Sequence, residues 1–348
     1  MEDFLIKNKN KFDKIISKND INLEKLFNII KKDIDYIVDT NFKYIEDSLF
    51  EQRSIQIKLI LLSNKKLFWK VYNYLEQFNK INTDSDVIEE LNHDGLSVLK
   101  NYISKKDIIK LKQEMEQEYK NIKKSINKKE FTYKQSLKCF ASTIVDGKTF
   151  SIGADYWGRT RLAYFKKSFE DAPKHIKKII NNKELLKYIN DYYNIKDAEP
   201  SRAIYEEITP PIISRKETNW HIDALIDQCK IMIILEDMTV DSGAFNYVPG
   251  HHKKFNKNQK DKYYKMYQLA GLRGMYINHF NDKSVRDIEN KKEAILKAGD
   301  VVIFDPKIQH YGAFAQNCGN RKNIVLYFNG IRNVRNRLLG RIDKYHIL

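Results

Sequence analysis

NWHIDALIDQCKIMIILEDMTVDSGAFNYVPGHHK, residues 219–253, decides how the fold is read. KIMIILEDM (230–238) and FNYVPG (245–250) are short apolar and aromatic runs of strand type. Asp241-Ser242-Gly243 and Pro249-Gly250 are turn residues that punctuate them. The pattern extends in both directions, to RAIYEEI (202–208), DVVIFD (300–305) and KNIVLYFN (322–329). Pro210-Pro211, Gly299-Asp300 and Cys318-Gly319-Asn320 supply further turns. Many short strands separated by such turns predict a sandwich or barrel from about residue 200 onward. The polar, charged stretch at 251–295 reads as an insertion over one mouth of that barrel.

Upstream the period changes. INLEKLFNIIKKDIDYIV and SIQIKLILLSNKKLFWKVYNYLEQF repeat apolar residues at three- and four-residue spacing, and no proline precedes Pro173. Residues 1–85 are therefore expected to be a helical extension, and residues 86–348 the main domain. HDGLSVLKNYISKKDI (93–108) reads as a short strand followed by a helix, with Ser104 and Asp107 suited to the helix start. One helix is expected over 173–193. Helices first and strands later disfavour a regular βαβ fold and give an α+β class.

Three cysteines, Cys139, Cys229 and Cys318, stand far apart with no CxxC pair. A disulfide framework or cysteine-rich zinc site is not expected, and a reducing, cytoplasmic setting fits. The charged N-terminus lacks the apolar stretch of a secretory signal. No apolar run is long enough for a membrane-spanning helix. The net charge of +16 admits an anionic partner, whether nucleic acid, membrane or metabolite. Lys, Asn and Ile are abundant everywhere and lysines are spread along the chain rather than blocked with aromatics, which favours a compositional bias over a nucleic-acid surface. The sequence does not set the oligomeric state.

Trp220-His221-Ile222-Asp223 carries the chemistry. In extended backbone, residues i and i+2 project to the same side, so His221 and Asp223 aim at one point. A third ligand has to come from a distant stretch, and His310, in the polar turn after DVVIFD, is the candidate. Two imidazoles and one carboxylate on one octahedral face leave three positions open, the arrangement of non-haem iron(II) oxygenases. Arg321 opens the strand after His310. If the two strands pair, its guanidinium enters the pocket behind the metal, where it can hold a carboxylate through two parallel hydrogen bonds. His93, His175, His251, His252, His279 and His346 lack comparable partners. The two after Pro249-Gly250 are the nearest to the motif.

These motifs, taken in order, resemble the phytanoyl-CoA dioxygenase family, which includes ectoine hydroxylase-type enzymes. HDGLSVLKNYISKKDI is similar to the family's opening strand and helix. Residues 219–253 are similar to its His-x-Asp strand, glycine turn and PGSHK-type segment, with His251 standing at the serine place. AGDVVIFDPKIQHYGAFAQNCGNRKNIVLYF (298–328) resembles its Gly-Asp strand, distal histidine and following arginine. The likeness covers about 90–330, loosely over 109–200. It implies a double-stranded β-helix of the jelly-roll or cupin kind with flanking helices. It also implies iron(II), 2-oxoglutarate and dioxygen as cofactor and co-substrates. Metal binding falls to His221, Asp223 and His310, and co-substrate binding to Arg321. Arg202 and Tyr205 are candidates for a second co-substrate contact. Tyr156, Trp157 and Phe165 could line a pocket, and Arg159 and Arg161 could meet an anion there.

The reaction so implied is hydroxylation of an unactivated C–H bond in a small, possibly anionic, substrate, with release of succinate and carbon dioxide. Desaturation and ring closure draw on the same oxidant. Asp223 speaks against halogenation, because related halogenases have a small residue at that place. Three alternatives stay open: a zinc or manganese cupin-like enzyme, a basic binding protein on an inactive barrel, and an oxygenase acting on nucleic acid or protein.

Overall fold

The computed structural model describes residues 23–39, 57–79, 85–125, 141–145, 148–152, 159–210, 220–223, 225–253, 255–273, 290–313, 315–316, 319–329, 331 and 333–339. Strands β1 (Leu96–Leu99), β2 (Ala141–Val145), β3 (Lys148–Ile152), β4 (Arg159–Phe165), β5 (Arg202–Ile208), β6 (Cys229–Ile234), β9 (Val301–Phe304) and β11 (Arg321–Phe328) form one sheet. Its order is β1-β9-β6-β11-β5-β4-β3-β2. A second sheet, ordered β10-β7-β8, comprises β7 (Phe245–Tyr247), β8 (Lys292–Ala294) and β10 (His310–Gly312). Every pairing between these strands is antiparallel.

The central strands read as continuous apolar runs because both their faces are covered. On β6 and β11, Cys229, Ile231, Ile233, Ile324, Leu326 and Phe328 point to one core. That core is closed by helices α3 (Asp86–His93), α4 (Lys105–Ser125), α5 (Lys174–Ile180) and α6 (Lys183–Tyr193). The alternate residues Met232, Ile234, Val302, Phe304 and Val325 turn the other way and meet Phe245, Tyr247 and Ala294 of the small sheet. This period of two gives each strand a structural face and a face free to build a site.

Helix boundaries follow their caps. The amide of Asp107 donates to Ser104 Oγ at 3.1 Å and starts α4. The single helix expected over 173–193 is instead two, because Asn181 caps the end of one and Asn182 the start of the next. The Asn182 side-chain oxygen accepts from the amides of Glu184 and Leu185, both at 3.1 Å. Strands also begin earlier than residue 200, with β2, β3 and β4 antiparallel over 141–165.

The N-terminal helices α1 (Leu23–Asp39) and α2 (Lys65–Leu75), with residues 57–63 also helical, build a third core. They share it with Ile222 and Leu225 beside the His-x-Asp motif, with α7 (Lys257–Arg273), and with α8 (Val334–Leu339). Within the expected mouth-covering insertion, α7 packs against these helices. Tyr264 Oη donates to the carbonyls of Leu61 and Leu62 at 2.9 and 2.8 Å, and Gln268 Nε2 donates to Leu62 at 2.7 Å. Carbonyls left over at a helix end thus find donors. Residues 274–289 lie outside the described residues. No helix among the described residues is long and apolar enough to cross a membrane.

A buried ionic cluster ties these parts to the segments that carry His221, Asp223 and His310. Asp227, fully buried, pairs with Lys307 at 2.5 Å and with Arg335 of α8 at 2.8 Å, and accepts from Asn333 at 2.8 Å. Arg335 also reaches Glu76, at the end of the N-terminal helices, at 2.8 Å. Lys307 lies 3.3 Å from Asp305. Burial alone would raise the Asp227 carboxyl, but Arg335 and Lys307 outweigh it and hold it well below the usual carboxylate range.

Asp227→Asn leaves two buried cations short of a counter-charge. It should cost about 3–5 kcal/mol of unfolding free energy, read by denaturant titration. Because the folded carboxylate titrates below its unfolded value near ~4, its contribution is present above that pH and lost as pH falls toward the folded value. Between pH 5 and 3 the wild type should therefore lose more stability than Asp227→Asn. Parallel pH profiles would refute this assignment.

Candidate metal centre

Two backbone hydrogen bonds place the histidines. His221 N–H donates to His310 O at 3.0 Å, and His310 N–H donates to His221 O at 2.9 Å. They form an isolated antiparallel bridge on the edge of β10. Residues exchanging both bonds stand directly opposite with side chains on one side of the sheet. The two ring centroids are 4.4 Å apart. Asp223 follows on the same side, anchored by its amide to Pro306 O at 3.0 Å. His310 therefore lies at the start of a strand, not in a turn as the sequence suggested, and its other neighbour is Tyr247 of β7.

One ligand atom from each of His221, Asp223 and His310 lies within 4.8 Å of the other two. Separations are 3.6 Å from His221 Nε2 to Asp223 Oδ1 and 3.8 Å from His310 Nε2 to Asp223 Oδ2. His310 Nδ1 sits 2.9 Å from the carbonyl of Ile308, a contact that places the proton on Nδ1 and leaves the Nε2 lone pair for a metal. All three side chains are buried or nearly so. Two neutral nitrogens and one carboxylate oxygen, gathered on one side with a cavity on the other, are a donor set suited to iron(II).

Lys230, unremarked in the sequence reading, pairs with Asp223 Oδ2. Burial pushes the Asp223 carboxyl up, but Lys230, His310 and His221 together hold it below the usual carboxylate range. The site thus presents an anionic ligand. The legible signal was a single charge inside the otherwise apolar CKIMII, at an inward-facing position.

The cavity of about 520 Å³ in front of the triad lies between the two sheets. Arg321 lines it, but its strand does not pair with that of His310. β11 sits between β5 and β6 in the large sheet, and Arg321 approaches from across the gap. A Cβ on Gly312 would stand 2.8 Å from Arg321 Nη2, so the guanidinium packs flat on the glycine. Arg321 Nη1 also donates to the carbonyl of Gly243. Glycine at 312 is what lets the two sheets close here.

Other candidates divide. Arg161, Phe165 and Arg202 line the cavity. Arg161 is 2.6 Å from Glu206; burial pulls the guanidinium's pKa down, but Glu206 together with Tyr327 and Asp223 raises it. Tyr205 points away, into the core under the helices. Tyr156, Trp157, His279 and His346 lie outside the described residues, as does the side chain of Arg159. His93 is exposed, and His175 binds Glu114 at 2.7 Å. His251 and His252 are buried, with His251 against Gln259 at 2.9 Å and His252 packed on Gly95.

A model of the phytanoyl-CoA dioxygenase family matches residues 207–322. No curated protein matches the chain. Among solved structures, the chain is similar to the non-heme α-ketoglutarate-dependent carbocyclase SnoK of nogalamycin biosynthesis, at 14% identity over 75% of this chain and 92% of that one, TM-score 0.46. AviO1 from Streptomyces viridochromogenes Tue57 is 16% identical over 74% and 99%, TM-score 0.45. HygX from Streptomyces hygroscopicus, solved with nickel, 2-oxoglutarate and hygromycin B, is 12% identical over 70% and 86%, TM-score 0.44. The matched span contains His221, Asp223, His310 and Arg321, and residues 207–322 are thereby identified as a segment of the phytanoyl-CoA dioxygenase family.

Proposed function

We propose that the chain is an iron(II)- and 2-oxoglutarate-dependent oxygenase of a small-molecule substrate, with His221, Asp223 and His310 as the metal ligands and Arg321 as the anchor of the co-substrate's distal carboxylate. The observation that carries this reading is the spacing along β10. His310 and Gly312 point to the same side, one two-residue step of about 7 Å apart. The Arg321 guanidinium lies against the second of them. A five-carbon dicarboxylate spans that interval, its far carboxylate on Arg321 and its 2-oxo-acid end toward the triad. Arginine is suited to this post because its fork matches a carboxylate and stays charged.

Iron with 2-oxoglutarate and dioxygen supplies the oxidising power for attack on a C–H bond, and the protein's part is binding, orientation and exclusion of water. Phe245 and Phe304 pack around His310 at ring separations of 5.5 and 5.3 Å and keep its imidazole in a dry wall. Lys230 steadies the Asp223 oxygen turned from His221 and limits the carboxylate's freedom to rotate. Two facing antiparallel sheets with the site between them support a double-stranded β-helix, and residues 1–85 are read as a helical extension packed on an oxygenase domain at 86–348. Hydroxylation is the reaction favoured by the carboxylate at Asp223, with desaturation and ring closure as variants.

Anaerobic iron(II) and 2-oxoglutarate should give a weak visible charge-transfer band with the wild type and none with His221→Ala. A wild type without that band, and without succinate release in a metabolite screen, points to a binding role for the barrel. Gly312→Ala should weaken 2-oxoglutarate binding at least tenfold, with metal affinity changed far less, because its methyl displaces the guanidinium. Equal loss of both affinities would contradict the assignment of Arg321.

A further inference from the structure

We propose that Arg202 seats an acidic group of the organic substrate, so that the substrate is a small molecule bearing a carboxylate or a phosphate. This rests on the oxygenase reading above. Pairing aligns Phe165, Arg202, Tyr327, Lys230 and Phe304 in one row across five strands of the large sheet, all on the cavity side. Lys230 touches Asp223. Arg202 stands two strands farther along, about 10 Å away at ordinary strand spacing. Arg321 is six positions along β11 from Tyr327, about 20 Å in extended backbone. The two arginines therefore serve different groups, one behind the metal and one beyond it.

Arg202 is built for an anion. Its guanidinium carbon lies 4.1 Å from the centroid of the Tyr327 ring, a cation–π contact that holds the group at the cavity wall. Its Nε is buried without a hydrogen-bond partner, and no carboxylate pairs with it among the described residues. The other cations of the wall are matched: Arg161 with Glu206, Lys230 with Asp223, and Arg321 with the Gly243 carbonyl and, on the reading above, the co-substrate. On the reading above the co-substrate's far carboxylate goes to Arg321, six positions of β11 from the row that holds Arg202, and this leaves Arg202 for the substrate. Ser201 and Asn329 lie beside it on the cavity wall as further polar groups. A desolvated guanidinium edge binds carboxylate or phosphate through paired, charge-assisted hydrogen bonds.

The test uses full-length protein loaded with manganese(II) and 2-oxoglutarate, with inorganic phosphate and acetate as probes. Paramagnetic relaxation of the phosphate ³¹P and the acetate methyl signals should report saturable binding near the metal but outside its coordination sphere. Arg202→Met should weaken it at least tenfold while 2-oxoglutarate affinity stays within twofold, and Arg202→Lys should fall between. The better-bound probe names the acid class. Undiminished relaxation in Arg202→Met, which places the anion elsewhere, overturns the proposal. Loss of 2-oxoglutarate binding in that variant also overturns it, by assigning Arg202 to the co-substrate. Should the wild type take up neither metal nor 2-oxoglutarate, the oxygenase reading fails. Phosphate binding to the metal-free protein, compared with Arg202→Met by calorimetry, then decides the anion site separately.

Discussion

The mutual backbone hydrogen bonds between His221 and His310 are the constraint on which the rest of the site depends. They bring together two stretches of chain separated by nearly ninety residues and fix register in the same act. A slip of one residue would turn either imidazole to the opposite face. Once that bridge is set, Asp223 follows from the two-residue period of extended backbone, and Gly312 follows from the same period on β10. The triad and the place of Arg321 are thus consequences of one local pairing between the edge of the small sheet and a short extended segment.

Such a bridge is weak alone, since two hydrogen bonds contribute about 1 kcal/mol each after competition with water. Its support comes from behind. Asp227 lies four residues past Asp223 and Lys307 three before His310, and they pair in the protein interior with Arg335 and Asn333. Burying charge is costly, so a cluster of this kind is poor evidence for extra stability. What it supplies is position, because each partner is satisfied only when both ligand loops, α8 and the end of the N-terminal helices are in place. The apolar core that joins Ile222 and Leu225 to α1, α2 and α7 acts on the same segment through packing. The N-terminal helices, which show no chemistry of their own, thereby brace the floor of the site.

Much of this was legible in the sequence, for reasons that can be located. His221, Asp223, His310 and Arg321 could be singled out because their residue types and order permit few other joint uses, and the strands after residue 200 announce themselves by turn residues. In the sequence, the pair Asp-Gly at 146–147 between ASTIV and KTFSI is a sign of β2 and β3. The break within 173–193 was marked by Asn181-Asn182, whose side chains compete for backbone groups. Long-range pairing was another matter. Nothing near Arg321 tells that its strand lies between β5 and β6, or that it meets Gly312 across a gap, since partners in a sheet are chosen by the whole topology. Lys230 and Glu206 escaped notice for a related reason: a lone charge in a strand has meaning only once its facing surface is known.

The large sheet shows why a strand can serve core and chemistry together. β11 sends Ile324, Leu326 and Phe328 into the helix-covered core while Arg321, Val325 and Tyr327 face the cavity. Each inward charge is then set against an apolar or aromatic neighbour, as Lys230 and Arg202 are against Tyr327, with ring distances of 4.9 and 4.1 Å. In such surroundings a counter-ion is held far more strongly than in water, and an unmatched charge is correspondingly costly. The wall can keep its cations only if each has an answering anion in the working state. Glu206 and Asp223 answer Arg161 and Lys230 from within the chain, Arg321 rests on the Gly243 carbonyl, and Arg202 stands in the row of Tyr327, six positions of β11 away from Arg321. On the proposed reading, a site arranged in this way would select small molecules by where their negative charges fall along the cavity.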